Sequence, residues 1–225
     1  MIYYPKVSVI LSVHNDERNI ENAVRSILSQ TYKNLELLVM DDFSTDNTYA
    51  ILEKIEDKRL EVFKNDLNIG LTKSLNILIK LSKGELIARQ DSDDVSNKYR
   101  LEKQIAYFNK FDLDACTTRG VVKGTQRSIP KFSHLLPNKL VIRYKNPFIH
   151  GTLLINKEVL ENIGCYDENF EYAQDYKLFR DLLEKKYRVK TLNEKLYILN
   201  MKDNISSLKK TEQKQAFKNI KNKKY

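Results

Sequence analysis

Asp91-Ser92-Asp93-Asp94 set three carboxylates directly after Glu85-Leu86-Ile87-Ala88-Arg89, a short run that reads as a buried strand. Carboxylates this close repel one another and resist desolvation unless something positive lies between them. A hard divalent cation, Mg2+ or Mn2+, answers that need, because it prefers oxygen ligands and bridges readily to phosphates. The same residues also suit a polar turn whose Asp caps a helix over Asn97–Asn109. On these four residues alone both readings stand. Two further acidic points stand out: Asp41-Asp42 after the apolar run Leu35–Met40, and Asp175 near the start of the helical stretch Gln174–Lys186.

The elements that must carry these groups are legible from periodicity. Val7–Val13, Leu35–Met40, Leu60–Phe63 and Leu86–Ala88 are short, mostly apolar runs that predict buried strands. Between them lie helices: one opened by Asp16-Glu17 with Ile20, Ala23, Val24, Ile27 and Leu28 inward, one started by Ser44-Thr45-Asp46, and one marked by Leu71, Leu75, Leu78 and Ile79. Lys83-Gly84 is expected to close the last by a left-handed C-cap. Strand and helix alternate four times, the pattern of an α/β fold with a mostly parallel sheet covered by helices on both faces. Ligands in such sheets bind beyond the carboxyl ends of the strands, where Ser12–Asn15, Asp41-Asp42, Asn68-Ile69-Gly70 and Asp91–Asp94 all fall. No GxGxxG follows the first strand, which argues against a dinucleotide site. After Tyr107 the alternation gives way to strands expected at Asp114–Lys123 and Thr152–Ile155 and a helix at Gln174–Lys186.

The 225 residues suffice for one large domain or two small ones. No apolar run approaches the ~18–20 residues that span a bilayer, and the N-terminus lacks a signal-peptide core, so a cytoplasmic location is expected. Cys116 and Cys165 have neither zinc-site nor disulfide-framework spacing, and both are expected to be reduced and inert. The net charge is +9, of which Ser206–Tyr225, with seven Lys and one Glu, supplies +6. That concentration in the tail argues against a basic nucleic-acid groove. The tail also carries Leu208, Phe217 and Ile220, so it suits either a peripheral contact with an anionic membrane or a solvated terminus.

Six segments in order, VSVILSVHN (Val7–Asn15), SILSQTYKNLELLVMDDFSTDNT (Ser26–Thr48), NIGLTKSLN (Asn68–Asn76), ARQDSDD (Ala88–Asp94), HGTLLI (His150–Ile155) and YAQDYKLFRDL (Tyr172–Leu182), resemble glycosyltransferase family 2. These are inverting enzymes of the GT-A fold that use nucleotide-activated sugars. The resemblance implies a single GT-A domain over about residues 1–205, with a nucleotide-binding half to about 110, a smaller acceptor half from 111, and a basic tail over 206–225. It implies that Asp42, with Asp41 beside it and Ser12 nearby, binds the nucleotide base. Asp91-Ser92-Asp93 matches the DxD motif, so Asp93 would ligate Mg2+ or Mn2+, Asp91 would contact ribose or metal, and Asp94 would support the loop. Lys73 and Arg89 lie close enough in sequence to reach phosphate, and are equally placed to be surface charges. Asp175 matches the catalytic base, Gln174 would position donor or acceptor hydroxyls, and His150-Gly151 would line the acceptor side.

The implied partners are a nucleoside diphosphate sugar, with UDP-sugar first, and a glycan or glycolipid acceptor in surface polysaccharide assembly; nucleic acid is not among them. One departure stands out. Where many members carry an Arg-x-His that can complete the metal shell, this chain has Tyr197–Ser206 with Met201 at the aligned position. Met is a poor ligand for a hard cation, which leaves Asn200 or Asp203 as substitutes. The missing His keeps open a nucleotide-sugar-binding protein without turnover; a nucleotidyltransferase is a third reading, though it lacks the expected Gly-rich first loop.

Overall fold

A computed structural model describes residues 4–170, 172–201 and 210–221. Four strands, β1 (Val7–Val13), β2 (Leu35–Asp41), β3 (Leu60–Lys64) and β4 (Leu86–Arg89), form the parallel half of a nine-stranded sheet in the order β3-β2-β1-β4. The order continues β8-β6-β9-β5 through β5 (Val95–Ser96), β6 (Ala115–Val122), β8 (Leu154–Asn156) and β9 (Val189–Leu199). A short strand β7 (Ser128–Ile129) adds to β6. The antiparallel pairs are those of β8 with β4 and β6, β5 with β9, and β7 with β6, while β6 with β9 is parallel again.

Alternation along the strands builds a core on each face. Val7, Val9, Leu11 and Val13 point to the side covered by α1 (Ile20–Leu28), α2 (Thr48–Glu53) and α4 (Arg100–Lys110). Ile10, Leu38 and Ile87 point to the other, covered by α3 (Leu71–Leu81), α6 (Lys157–Asn162) and α7 (Gln174–Glu184). A one-turn helix α5 (Asn138–Val141) lies between β7 and β8 in the chain.

The parallel register delivers the chemistry to one edge. Val13 pairs with Asp41 and Ile10 with Arg89, so the loops after β1, β2 and β4 leave the sheet side by side. β8 runs antiparallel to β4, with Ala88 opposite Leu154. Its preceding turn, His150–Thr152, therefore arrives at the same edge as the loop that follows β4.

One expectation is corrected. Gly84 does not cap α3: the helix ends at Ser82 in an extended conformation, and Gly84 has no positive φ. A Cβ on Gly84 would lie 2.5 Å from the Ser8 amide nitrogen, so close backbone approach is what requires glycine there. Among the described residues of the tail, Phe217 and Ile220 pack toward the protein. A helix α8 (Lys210–Lys221) buries Ile220 completely in the core shared with α7, and the Phe217 ring lies tilted against Tyr176 with ring centroids 4.2 Å apart. Leu208 lies outside the described residues.

Candidate functional site

The loop after β4 is held from beneath by two buried guanidinium groups. Arg89 is 1% exposed and its Nη2 donates to Asp91 Oδ1 at 2.8 Å. It is not a surface charge. Arg100 enters from α4, fully buried, with Nη1 donating to the carbonyls of Arg89 (3.0 Å) and Gly151 (2.9 Å). Its guanidinium lies over the Tyr197 ring, and burial lowers its pKa to about 10. The Tyr197 hydroxyl accepts the Asp91 backbone N–H at 3.1 Å, and burial raises its own pKa well above the usual value. β9 thus ties down the first residue of the acidic motif from across the sheet.

The carboxylates crowd as the sequence predicts, with one addition. Asp16, from the loop after β1, accepts the Ser92 hydroxyl at 2.8 Å. Burial, with Asp91 and Asp16 as neighbours, pushes Asp93 up to about 6; Arg89 opposes the shift. Burial, Asp91 and Asp93 push Asp94 up to about 8, although Asp94 accepts the Asn200 backbone N–H at 2.7 Å. Asp94 therefore supports the loop. None of the three caps α4: that helix begins at Arg100, has Tyr99 at its N-cap and takes no side-chain cap bond.

This donor set suits a hard divalent cation, because folding leaves Asp93 a carboxylate whose charge is poorly compensated and whose ligating atoms are oxygens. Among the described residues no three His, Cys, Asp or Glu side chains converge into a preformed metal cage. The arrangement fits the Mg2+ mode, in which one or two carboxylates share the ion with substrate phosphate and water. Asn200 supplies its backbone N–H to Asp94, Met201 is exposed, and Asp203 lies outside the described residues.

The residues expected on the acceptor side lie near the same cluster. His150 bonds through Nε2 to the Tyr166 hydroxyl at 2.7 Å. Its pKa is lowered by burial and by Arg89, against the pull of Asp91 and Asp175, so all three charges reach it. Tyr166 is raised, mainly by burial, in the field of the same three. Gly151 is a steric necessity: a Cβ there would sit 2.3 Å from the Tyr197 hydroxyl and 2.4 Å from Asp91 Oδ2. Asp175 lies in the first turn of α7 yet caps nothing; the N-cap is Ala173, with no side-chain bond. Its Oδ2 instead accepts Asn146 Nδ2 at 2.7 Å. Gln174, beside it, is buried.

The loop after β2 divides its two carboxylates. Asp42 is engaged within the protein: it accepts the backbone N–H groups of Ile69 (2.9 Å) and Gly70 (2.8 Å) and the Asn65 amide (2.8 Å). Asp42 thereby closes the Asn68-Ile69-Gly70 turn onto the strand edge. Asp41 accepts the Ser44 N–H at 3.2 Å through Oδ2, while its buried Oδ1 has no protein partner. Ser12 is nearly buried opposite Met40, one residue before the Val13–Asp41 pair. Lys73 is exposed on the first turn of α3.

Arg100, Tyr197, Asp16, Tyr166 and Asn146 complete the site without having been singled out in the sequence. For Arg100 a signal existed. It shares the buried stripe of α4 with Leu101, Gln104, Ile105 and Phe108, which marks an inward-facing charge. Tyr197 and Asn146 reach the site only through long-range pairing.

A curled, mostly parallel sheet with an acidic loop after its fourth strand places the chain among GT-A glycosyltransferases, and the solved structures agree. A TarS fragment from S. aureus, residues 1–349 bound to UDP-GlcNAc, superposes with a TM-score of 0.77 at 25% identity, over 88% of this chain and 59% of that one. The mannosyltransferase PcManGT of Pyrobaculum calidifontis, solved with GDP-Man and Mn2+, superposes at 0.76 with 20% identity, over 96% and 62%, and shares the fold. The profile described as glycosyl transferase family 2 matches residues 8–187, and the chain belongs to that family. Among curated relatives, the putative glycosyltransferase EpsE of Bacillus subtilis is 34% identical over 205 residues, covering 86% of this chain and 72% of EpsE. The Escherichia coli protein WfaP, named a UDP-Glc:alpha-D-GlcNAc-diphosphoundecaprenol beta-1,3-glucosyltransferase, is 30% identical over 195 residues, covering 83% and 74%. An uncharacterised Haemophilus influenzae glycosyltransferase is matched over only 60% of its length. No helix among the described residues is long and apolar enough to cross a membrane.

Proposed function

We propose that this protein transfers one sugar from a nucleoside diphosphate sugar, a UDP-sugar in the first instance, to a hydroxyl acceptor with inversion. The observation that carries the reading is the braced acidic loop after β4, where buried Arg89 holds Asp91 and Gly151 packs against Asp91 and Tyr197. Asp175, bonded to Asn146, is close enough for its charge to act on His150 beside Gly151. The acceptor oxygen attacks C1, the bond from C1 to the diphosphate oxygen breaks with its electron pair leaving on the diphosphate, and the acceptor proton passes to Asp175. Asn146 holds Oδ2 of Asp175 and leaves Oδ1 for that proton. Asp93 and Asp91 would hold Mg2+ or Mn2+, which supplies positive charge against the departing diphosphate. Arg89 fixes Asp91, and Gly151 keeps the space between Asp91 and Tyr197 clear. Asp42, with Asp41 and Ser12 beside it, would bind the base; Asp42 also holds the Ile69 and Gly70 amides, and Asp41 Oδ1 is buried without a protein partner. Lys73 stands near the phosphates, and His150, Gly151 and Gln174 line the acceptor side.

The relatives' names support surface polysaccharide or glycolipid assembly as the setting, WfaP through its lipid-linked diphosphate acceptor. A lipid-linked acceptor of that kind would set a cytoplasmic protein to work at the inner face of a membrane. One GT-A domain over about 1–205, with α8 of the 206–225 segment packed back on it, carries the activity. A donor-binding protein without turnover is the second reading, favoured by the exposed Met201 where the family resemblance implies a metal-binding His. Incubation with a panel of UDP- and GDP-sugars, Mn2+ and a hydroxyl acceptor separates the two. Nucleoside diphosphate release supports transfer; donor binding by calorimetry without release supports the second reading; neither, with any donor, refutes both.

A further inference from the structure

Five of the six most exposed large apolar side chains among the described residues lie within residues 132–144: Phe132, Leu135, Leu136, Leu140 and Tyr144, each 54–77% exposed. They sit on the short turn Ser133–Leu135 and on and after α5. The segment is pinned from within. Ser133, Val141 and Ile142 are buried, Asn138 Nδ2 donates to the Val189 carbonyl at 2.9 Å, and the Tyr176 hydroxyl donates to the Ile142 carbonyl at 2.9 Å. The apolar side chains therefore stand outward on a fixed backbone. A patch of this kind marks an interaction surface.

Charge says what covers it. Residues 115–157 contain eight Lys and Arg side chains and no Asp or Glu. Four of them, Lys131, Lys139, Arg143 and Lys145, are exposed and alternate with the apolar set. Interleaved apolar and basic side chains without acidic ones suit an anionic lipid surface, where the apolar groups enter the headgroup boundary and the cations meet phosphate. A second copy of the chain fits poorly, because it would bring two sets of cations face to face. A cleft of about 590 Å³ opens beside the patch, with Arg143 and Tyr144 on one wall and Arg180, Lys186 and Lys221 among the others. Glu184 also lines it, paired with Arg180, so the basic character on that side comes from Lys186 and Lys221.

The patch also adjoins the chemistry. Asn146, one residue beyond Lys145, is the hydrogen-bond partner of Asp175. We propose that residues 131–145 are a docking surface for an anionic bilayer, seated so that an acceptor carried in that bilayer reaches Asp175. The docking stands on the patch alone; the presentation of acceptor rests on the function proposed above. The site differs from the basic tail, whose apolar residues Phe217 and Ile220 pack inward.

The test is co-sedimentation of the full chain with vesicles of phosphatidylcholine alone and of equal parts phosphatidylcholine and phosphatidylglycerol. Binding is expected only to the second, falling with added salt. Lys139→Glu with Arg143→Glu removes two cations, each worth about fivefold in partition, so a drop of at least about twentyfold is expected. Leu135→Ser with Leu136→Ser tests the apolar half and is expected to abolish sedimentation, while Lys218→Glu on α8 leaves most of it. Calorimetric titration of each variant with a UDP-sugar reports the donor site separately; unchanged donor binding alongside lost sedimentation supports the docking surface and leaves the proposed chemistry intact. No binding to anionic vesicles, binding untouched by the patch variants, or a lipid-free dimer that the Leu→Ser pair dissociates would each overturn the proposal.

Discussion

Gly151→Ala tests how tightly the two lobes are fitted at the site. The new methyl carbon would stand 2.3 Å from the Tyr197 hydroxyl, 2.4 Å from Asp91 Oδ2 and 2.9 Å from Tyr197 Cζ. Ordinary contact needs roughly 3.5 Å, so these neighbours must retreat by about 1 Å. Tyr197 has no room to do so, because it is 1% exposed, lies against Arg100 and accepts the Asp91 backbone N–H. Asp91 can retreat only by loosening its 2.8 Å bond to Arg89. Overpacking of this kind costs about 1–3 kcal/mol of stability, and a shift of ~1 Å in a positioning group costs about a hundredfold in rate. Thermal unfolding gives the first quantity, and the initial rate of nucleoside diphosphate release at saturating donor and Mn2+ gives the second. A folded Gly151→Ala protein with turnover within about threefold of wild type would show that Asp91 is not held where the chemistry needs it, and the assignment of the loop would fail.

Three other outcomes are expected. Asp93 and Asp94 have folded pKa values of about 6 and about 8 against an ordinary 3.8, so the folded protein binds more protons than the unfolded chain between roughly pH 4 and pH 8. Stability in EDTA must therefore fall as pH rises through that window, by up to about 1.4 kcal/mol per pH unit for each extra proton, and Mn2+ should restore more at pH 8 than at pH 5; a flat melting temperature in EDTA contradicts this. Asp42→Ala leaves the Ile69 and Gly70 amides and the Asn65 side chain without their acceptor, and urea denaturation should show about 1–3 kcal/mol lost, whereas a purely base-binding Asp42 would cost nothing. Ile220→Ala should cost about 2–4 kcal/mol because α8 is packed into the core; a loose tail would show no change.

The parallel half of the fold was legible because its determinants are local. Each of the first four strands carries its own apolar run, each helix its own stripe, and the observed strands start at the expected Val7, Leu35, Leu60 and Leu86. Strand order put the acidic loops on one edge, as the alternation implied. What stayed hidden depends on distant partners. Asp41 and Asp42 are neighbours of one chemical type, yet only the fold of the Asn65–Gly70 segment decides that Asp42 is engaged and one Asp41 oxygen is not. Arg89 looked as fit for the surface as for phosphate and is a buried brace, because Asp91 and the Ile10 carbonyl meet it inside. Gly84 followed a Lys in a cap-like pattern, but the close approach of Ser8 from another strand is what requires it. The tail's seven lysines drew attention to charge, while Phe217 and Ile220 set its place on α7.

The central claim is that Asp175 takes the acceptor's proton opposite a donor held at the Asp91–Asp93 loop. Paired measurements on wild type and Asp175→Asn, the rate of UDP release with donor, acceptor and Mn2+ beside the donor Kd by calorimetry, test it most directly. The proposed mechanism predicts turnover lower by about 10²–10⁴-fold with donor affinity unchanged within about twofold, because it gives Asp175, held by Asn146, the acceptor's proton and no contact with the donor. Undiminished turnover in Asp175→Asn, or a rate loss matched by an equal loss of donor affinity, would contradict it.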